Sequence, residues 1–354
     1  MKLQIWQGEK LLKKSNKAKK NYFSKWWQLL KYSPTDAKYC KQNYPRVVAI
    51  GGGTGLSALL RGLRFFTPNI TAVVAVTDNG QSSGFIRKAF DSLPPGDIRK
   101  CICALSPKED LLVDLLTYRF KKGRGLNGHS LGNLLMVALS DMENGFDKAI
   151  MRLSEILQIV GCVLPVTLDK VHIIGQMDSG VMVEGETQIS ERGHTDSIRK
   201  ISLTKTANIY VPVKTAIEDA DIIVLGPGSL YTSVIPPLLV KGMASSLKRT
   251  RAKIIYVCNI STERGETEGY GVENHINAVK KVIPRIDYCL VNTKKVRTPN
   301  IKEGELGSVV QLFTKCKLIC GVKIIHACVV DDNNLLCHNS TLLAKTIIDS
   351  INTK

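Results

Sequence analysis

An α/β protein built on a doubly wound, mostly parallel sheet is what the sequence predicts, and three observations carry the prediction. Short, solidly apolar runs recur (Val47-Val48-Ala49-Ile50, Ile70 to Val76, Asp221–Leu225, Lys253–Cys258, Asp287–Val291), with helix-like segments between many of them. A run of that length without alternation is a strand buried on both faces, as parallel sheets require. Glycine-rich turns stop two of these runs, at Gly51–Gly55 and Gly226–Gly228. The chain has 354 residues, 44% hydrophobic and 23% charged, enough for a large buried core. The arrangement is Rossmann-like, with helices on both faces and ligands at the carboxyl ends of the strands.

Taken in order, Val47–Ile50 is a strand and Leu56–Leu63 an apolar-periodic helix. Ile70–Val76 is the second strand, ending in Thr77-Asp78-Asn79-Gly80. Helices follow over Asp97–Leu105, Asp110–Tyr118, Ser130–Leu139 and Asp147–Ile159. Shorter alternating strands around Val163–Val166, Val171–Gln176 and Val181–Glu184, with Asp178-Ser179-Gly180 as a hairpin turn, mark a small insertion or edge between about 160 and 205. Strand–helix alternation then resumes, and a last strand (Lys323–Val330) precedes a closing helix (Thr341–Ile351).

The formal charge of +18 suggests nucleic acid until it is located. Residues 1–46 carry twelve Lys and Arg against Glu9 and Asp36, a net of +10, which leaves +8 for the other 308. Two domains follow: a basic N-terminal tail, 1–44, and an α/β domain, 45–354. In the tail Phe23, Trp26, Trp27 and Leu30 fall on one helical stripe beside a lysine run. Such a stripe suits contact with a membrane surface, where cations meet anionic lipid and indoles enter the headgroups. Packing onto the body and nucleic acid are the other readings, and no specific nucleic acid is expected. No apolar run reaches the ~18–20 residues of a spanning helix, and no apolar core follows the basic start as a secretory signal needs. Ten cysteines, mostly in apolar runs and without a Cys-x-x-Cys pair, read as small buried thiols in a reducing compartment. The expected location is the cytoplasm, with peripheral contact at the inner face of the membrane.

Five loops could carry chemistry. Gly51-Gly52-Gly53-Thr54-Gly55 joins a strand to a helix, where Gly52, Gly53 and Gly55 let the backbone approach a phosphate and Thr54 adds a hydroxyl. Its spacing is neither G-x-G-x-x-G nor a P-loop. In the second loop, Thr77 to Gly84, Asp78 is placed for a metal, a ribose hydroxyl or base catalysis, with Ser82 and Ser83 as donors. In Pro94-Pro95-Gly96-Asp97-Ile98-Arg99, Asp97 is placed to cap the helix from 98 and Arg99 to reach an anion. In the fourth, His129 and Asn133 stand four apart, on one face if the helix already includes His129. The last, Gly226-Pro227-Gly228-Ser229-Leu230-Tyr231-Thr232-Ser233, is a second glycine turn with hydroxyls. Gly226, Gly228, Ser229, Tyr231 and Ser233 are its ligand candidates. Asn259, Thr262, Glu266 and Thr267 follow the next strand and line the same edge. Two glycine turns on one sheet edge favour a diphosphate or a phosphorylated substrate.

In this order the loops resemble the CofD/YvcK-like family, over about 46–350, and its YvcK branch more closely. The resemblance implies a bacterial regulator that binds UDP-sugars such as UDP-N-acetylglucosamine and serves cell shape and gluconeogenic growth. On that reading no residue is catalytic and no cofactor is certain. The alternative is the CofD activity, transfer of 2-phospho-L-lactate onto a deazaflavin with Mg²⁺, in which Asp78 would bind the metal. The ligand is a UDP-sugar or another phosphorylated small molecule, and a homo-oligomer is the expected assembly. Three features depart from the family pattern. Asn79 replaces a second aspartate, and Gly80-Gln81 stands where the family has a glycine pair. Cys337-His338-Asn339 replaces Arg-His-Asp, and no match appears for an upstream Tyr. A missing guanidinium weakens diphosphate recognition by one charged hydrogen bond, about 1.5–3 kcal/mol.

Overall fold

The computed structural model describes residues 44–107, 111–296 and 310–352. The chain divides between Asn43 and Tyr44. The tail readings, with the Trp26–Trp27 stripe, lie outside the described residues.

Strand β1 (Val47–Gly51) leads through α1 (Gly53–Leu63) to β2 (Ile70–Val74). Helices α2 (Gln81–Phe90), α3 (Gly96–Leu105), α4 (Leu111–Thr117), α5 (Leu131–Met142) and α6 (Phe146–Leu157) then precede β3 (Cys162–Pro165). Strands β4 (Ile173–Met177) and β5 (Met182–Glu184), helix α7 (Glu186–Gly193) and β6 (Ile198–Leu203) form the next group. After α8 (Val211–Asp219) comes β7 (Ile222–Leu225), then a π-helical turn (Leu230–Val234), α9 (Ile235–Leu238) and α10 (Met243–Arg249). The rest is β8 (Lys253–Val257), α11 (Val272–Lys280), β9 (Tyr288–Asn292), the short pair β10 (Leu318–Ile319) and β11 (Val322–Ala327), and α12 (Ser340–Asn352).

Eight strands form the main sheet in the order β10-β11-β9-β8-β7-β1-β2-β3. All its pairings are parallel except β10 with β11. Every residue of β1, β2 and β7 is buried, as their content of Val, Ile, Leu and Ala, with only Gly51 and Thr71 besides, requires under helices on both faces. The chain lays β2 and β3 outward on one side of β1, then returns to place β7 on its other side. The order therefore reverses between β1 and β7, and the crevice at their carboxyl ends is where a sheet of this kind takes a ligand.

The doubly wound fold is as the sequence predicts, with two local differences. Val163–Val166 is not part of the insertion, because β3 pairs in parallel with β2 at the edge of the main sheet. The insertion is the separate antiparallel sheet β5-β4-β6, with α7 between β5 and β6. Its hairpin closes at the expected turn, where Gly180 N donates to Met177 O at 2.9 Å. The loop after Asp78 is also shorter than expected, since α2 starts at Gln81 and carries Ser82 and Ser83 on its first turn. The Ser-Ser-Gly composition hides that helix.

Among the described residues no helix is long and apolar enough to cross a membrane. The described cysteines are free, and Cys101, Cys103, Cys258 and Cys289 are buried. Cys316, Cys328 and Cys337 are exposed, against expectation, because they lie in connections around the edge hairpin rather than in strand interiors.

Candidate functional site

The turns after β1 and β7 meet backbone to backbone at the reversal point. Gly226 N donates to Ile50 O at 2.8 Å. A Cβ on Gly55 would stand 2.5 Å from Pro227 O, and one on Gly228 would stand 3.5 Å from Gly52 O. Only a residue without a side chain fits at position 55. No side chain caps α1 at Gly52, and Thr54 is exposed on its first turn. The amides of Thr54 and Gly55 are among the first-turn donors that a helix leaves without intrahelical partners.

The Gly53 amide already has an anion. Asp97 Oδ2 accepts from Gly53 N at 2.7 Å, and its Oδ1 accepts from Lys100 Nζ at 3.1 Å. Asp97 therefore does not cap its own helix: Pro95 holds the cap position of α3, and Asp97, second residue of its first turn, serves α1. Burial pushes the Asp97 carboxyl above the usual carboxylate range, Lys100 opposes this, and Asp78 adds to the rise. Asp78 Oδ1 accepts from Gly80 N at 2.8 Å, as in an Asx turn. Its other oxygen and Ser83 Oγ lie where a side chain on Gly96 would stand, at 2.6 and 2.5 Å from an added Cβ.

Four candidates from three motifs join in one buried chain. Arg99 Nε donates to Asn133 Oδ1 at 2.9 Å, and Asn133 Nδ2 donates to Ser82 Oγ at 3.0 Å. Ser82 Oγ in turn lies 3.1 Å from His129 Nδ1. Arg99 also donates to Leu116 O. Through Nε and Nη1 it is thus tied to neighbouring helices. His129 and Asn133 do not share a helix face, because Ser130 is the N-cap of α5, accepting from Asn133 N. Ser82 is what joins them.

In the loop after β7 the expected phosphate donors meet carboxylates. Ser229 Oγ donates to Glu263 Oε1 at 2.7 Å, Thr232 Oγ1 to Glu266 Oε1 at 2.6 Å, and Tyr231 N to Glu266 Oε2 at 3.0 Å. Tyr231 pairs its hydroxyl with that of Tyr270 at 2.7 Å. Ser233 Oγ faces the first turn, 3.6 Å from where a Cβ on Gly53 would stand. Thr267 Oγ1 accepts from Glu263 N and so holds the backbone of its own loop, while Thr262 Oγ1 accepts from Val310 N and ties that loop to a distant segment. Asn259 is half-buried just beyond β8. A cavity of about 420 Å³ opens beside this loop, lined by Tyr231, Tyr270, Asn274, Asn277, Lys280 and Lys281. Asn274 and Asn277 escape a sequence reading because they look like the solvated face of α11. Of the C-terminal departures, Asn339 Oδ1 accepts from Leu342 N at the start of α12, and Cys337 brings an exposed thiol but no charge.

The insertion supplies a wall that the sequence reading missed. Asn79 Oδ1 accepts from Thr187 N at 3.1 Å, and its Nδ2 donates to Gln188 Oε1 at 2.8 Å. Farther along α7, Ser190 Oγ donates to Glu266 Oε1 at 3.5 Å. Gly193 packs on the loop of Glu266, where an added Cβ would stand 1.7 Å from Gly265 O. Glu186, at the head of this helix, is pushed up to about 9 by burial and by Asp78, Asp97 and Glu266. Glu266 is pushed up to about 7 by burial and by Glu263.

These shifts set a pH dependence. A carboxyl whose folded pKa exceeds its unfolded value binds more protons when folded, so its contribution is fully present below about 4.5 and is lost as pH rises. Stability is expected to fall between pH 5 and 9, through the values near 7 and 9 of Glu266 and Glu186. Thermal melts across that range check this, and Glu186→Gln should flatten the upper part of the profile. An unchanged profile in that variant would refute the assignment.

The magnesium implied by the transferase resemblance would draw on Asp78, and Asn79 beside it brings no second carboxylate. Among the described residues no three His, Cys, Asp or Glu side chains are placed to hold a metal ion. Both polar atoms of Asn79 are engaged by α7, and both oxygens of Asp97 have partners.

Comparison with known proteins agrees with this architecture. The family described as 2-phospho-L-lactate transferase CofD matches residues 47–325. A relative from Clostridium acetobutylicum is 48% identical over 71% of this chain and 57% of its own length, so the match spans little more than half of that relative. A protein named gluconeogenesis factor from Halalkalibacterium halodurans is 39% identical over 86% of this chain and 95% of its own. A crystal structure of a Bacillus halodurans protein superimposes with a TM-score of 0.82 at 39% identity, covering 86% of this chain and all of that one. A single domain match across the sheet, with relatives of that name over most of the chain, places the protein: it belongs to the CofD family, in the branch of the gluconeogenesis factors.

Proposed function

We propose that the protein is a nucleotide-sugar-binding regulator, acting in gluconeogenic growth and cell shape by binding a UDP-sugar rather than by turning it over. The observation that carries this reading is the backbone contact of the β1 and β7 turns, which gathers the first-turn amides of α1 and the Thr54 hydroxyl at one crevice. Diphosphates suit such donors because their charge meets aligned N–H groups. Isothermal titration with UDP-N-acetylglucosamine tests it, and no heat at millimolar ligand on folded protein ends the reading. Thr54→Ala is expected to weaken binding by one hydrogen bond, about 0.5–1.5 kcal/mol or roughly 2- to 12-fold in Kd, in the same titration.

The second reading, a phosphotransferase, is favoured by the matched family description and by Asp78 facing the crevice near Gly96. Against it stands Asn79, an uncharged residue engaged by α7 where a second metal-binding carboxylate is needed. Turnover of a nucleotide-activated phospholactate with a deazaflavin acceptor, lost in Asp78→Asn, would replace the regulator reading with this one.

A further inference from the structure

We infer that Glu186, supplied by the insertion, contacts the ligand directly and, with Asp78, receives the hydroxyl-bearing sugar end of the nucleotide sugar rather than its phosphates. The inference rests on the nucleotide-sugar reading and adds a residue, an orientation and a source of selectivity to it.

Placement comes first. Helix α7 reaches from Asn79, beside the β2 turn, to Glu266 and Gly265, beside the β7 and β8 turns. Glu186 stands at its head, next to Thr187, whose amide Asn79 holds. The carboxyls around it have partners: Asp97 with Gly53 and Lys100, Glu266 with Tyr231 and Thr232, Glu263 with Ser229. The Glu186 carboxyl makes no hydrogen bond to a described residue, and of the Asp78 carboxylate only Oδ1 does, accepting from Gly80 N.

A second observation points to the same spot. The Thr77 hydroxyl, on a residue 4% exposed, is buried without a partner one position before Asp78. Thr77 follows two residues after Ala75, whose Cβ lies 3.4 Å from where a Cβ on Gly52 would stand. A buried hydroxyl with nothing to bond is a group that a bound molecule satisfies.

Chemistry then separates the two ends. A phosphate beside Glu186 would face Asp78, Asp97 and Glu266, and the nearby cation, Lys100, is already paired with Asp97, so like charges in a poorly solvated cleft repel it. Neutral hydroxyls carry no such penalty, and each donates to a carboxyl oxygen. A carboxyl group offers two oxygens, each able to accept from a sugar hydroxyl, which suits a polyol. The phosphates are left to the α1 amides and Thr54, and the sugar points toward the β2 turn and α7.

Titration of the full chain with UDP and with UDP-N-acetylglucosamine tests the assignment. Glu186→Ala is expected to lower affinity for the nucleotide sugar about 10- to 100-fold while changing UDP affinity by less than about twofold. Glu186→Gln keeps a donor and an acceptor and should retain most of the sugar affinity, which separates a lost contact from a misfolded insertion. An equal loss for both ligands, or no loss for either, overturns the inference and leaves the nucleotide-sugar reading standing. Wild-type protein that binds neither ligand removes both.

Discussion

Gly55→Ala is expected to lower stability by about 2–3 kcal/mol and the melting temperature by about 3–5 °C, and to abolish most nucleotide-sugar binding. An alanine Cβ would stand 2.5 Å from Pro227 O, 2.8 Å from its carbonyl carbon and 3.0 Å from Gly228 N. All three obstacles are backbone, so no rotamer change relieves the overlap. The β1 and β7 turns must separate, and the amides of Thr54 and Gly55 move with them. The sign of the change is informative. Gly55 lies within α1, where alanine is intrinsically better than glycine by about 1 kcal/mol. A stabilised variant would therefore show that the two turns are not in contact. Thermal melts and titration of the same preparation read both effects.

Gly193→Ala is expected to unseat the insertion at a cost of about 1–3 kcal/mol. An added Cβ would stand 1.7 Å from Gly265 O and 2.6 Å from its carbonyl carbon, so α7 must lift from the loop that carries Glu266. Amide exchange locates the effect. The Thr187 amide, held by Asn79 Oδ1, should lose protection, while strands β1, β2 and β7 keep theirs. Uniform loss across the main sheet would mean that α7 is not a separable wall of the cleft.

These two glycines also show how far the sequence can be read. The solid apolar runs from Val47 to Val291 give the parallel sheet directly, because a strand covered on both faces has no polar side to show. The two glycine turns are visible as turns, and their meeting follows from the reversal of strand order. What cannot be read is which distant side chain satisfies which group. Asp97 looks like a local cap and serves Gly53, 44 residues away. Ser229 and Thr232 look like phosphate donors and meet Glu263 and Glu266. Glu186 heads the polar segment Glu-Thr-Gln-Ile-Ser-Glu-Arg-Gly, which has the composition of a solvated helix. The next two residues, Thr187 and Gln188, are held by Asn79, contacts spanning more than a hundred residues. Local pattern fixes elements, and the long-range pairing of polar groups is decided only when the elements dock.

The pairing of β1 with β7 has a consequence for biosynthesis. Arg46 and Asp221, which clasp the amino ends of these strands, are separated by 175 residues. At a synthesis rate of about 5–20 residues per second, β1 waits roughly 9–35 s for its central neighbour to leave the ribosome. During that interval one edge of a strand made of Val, Ala and Ile is bare, the kind of surface that templates aggregation. Newly made chains should therefore depend on holding chaperones until residue 225 has emerged, and chains truncated before β7 should accumulate as insoluble material.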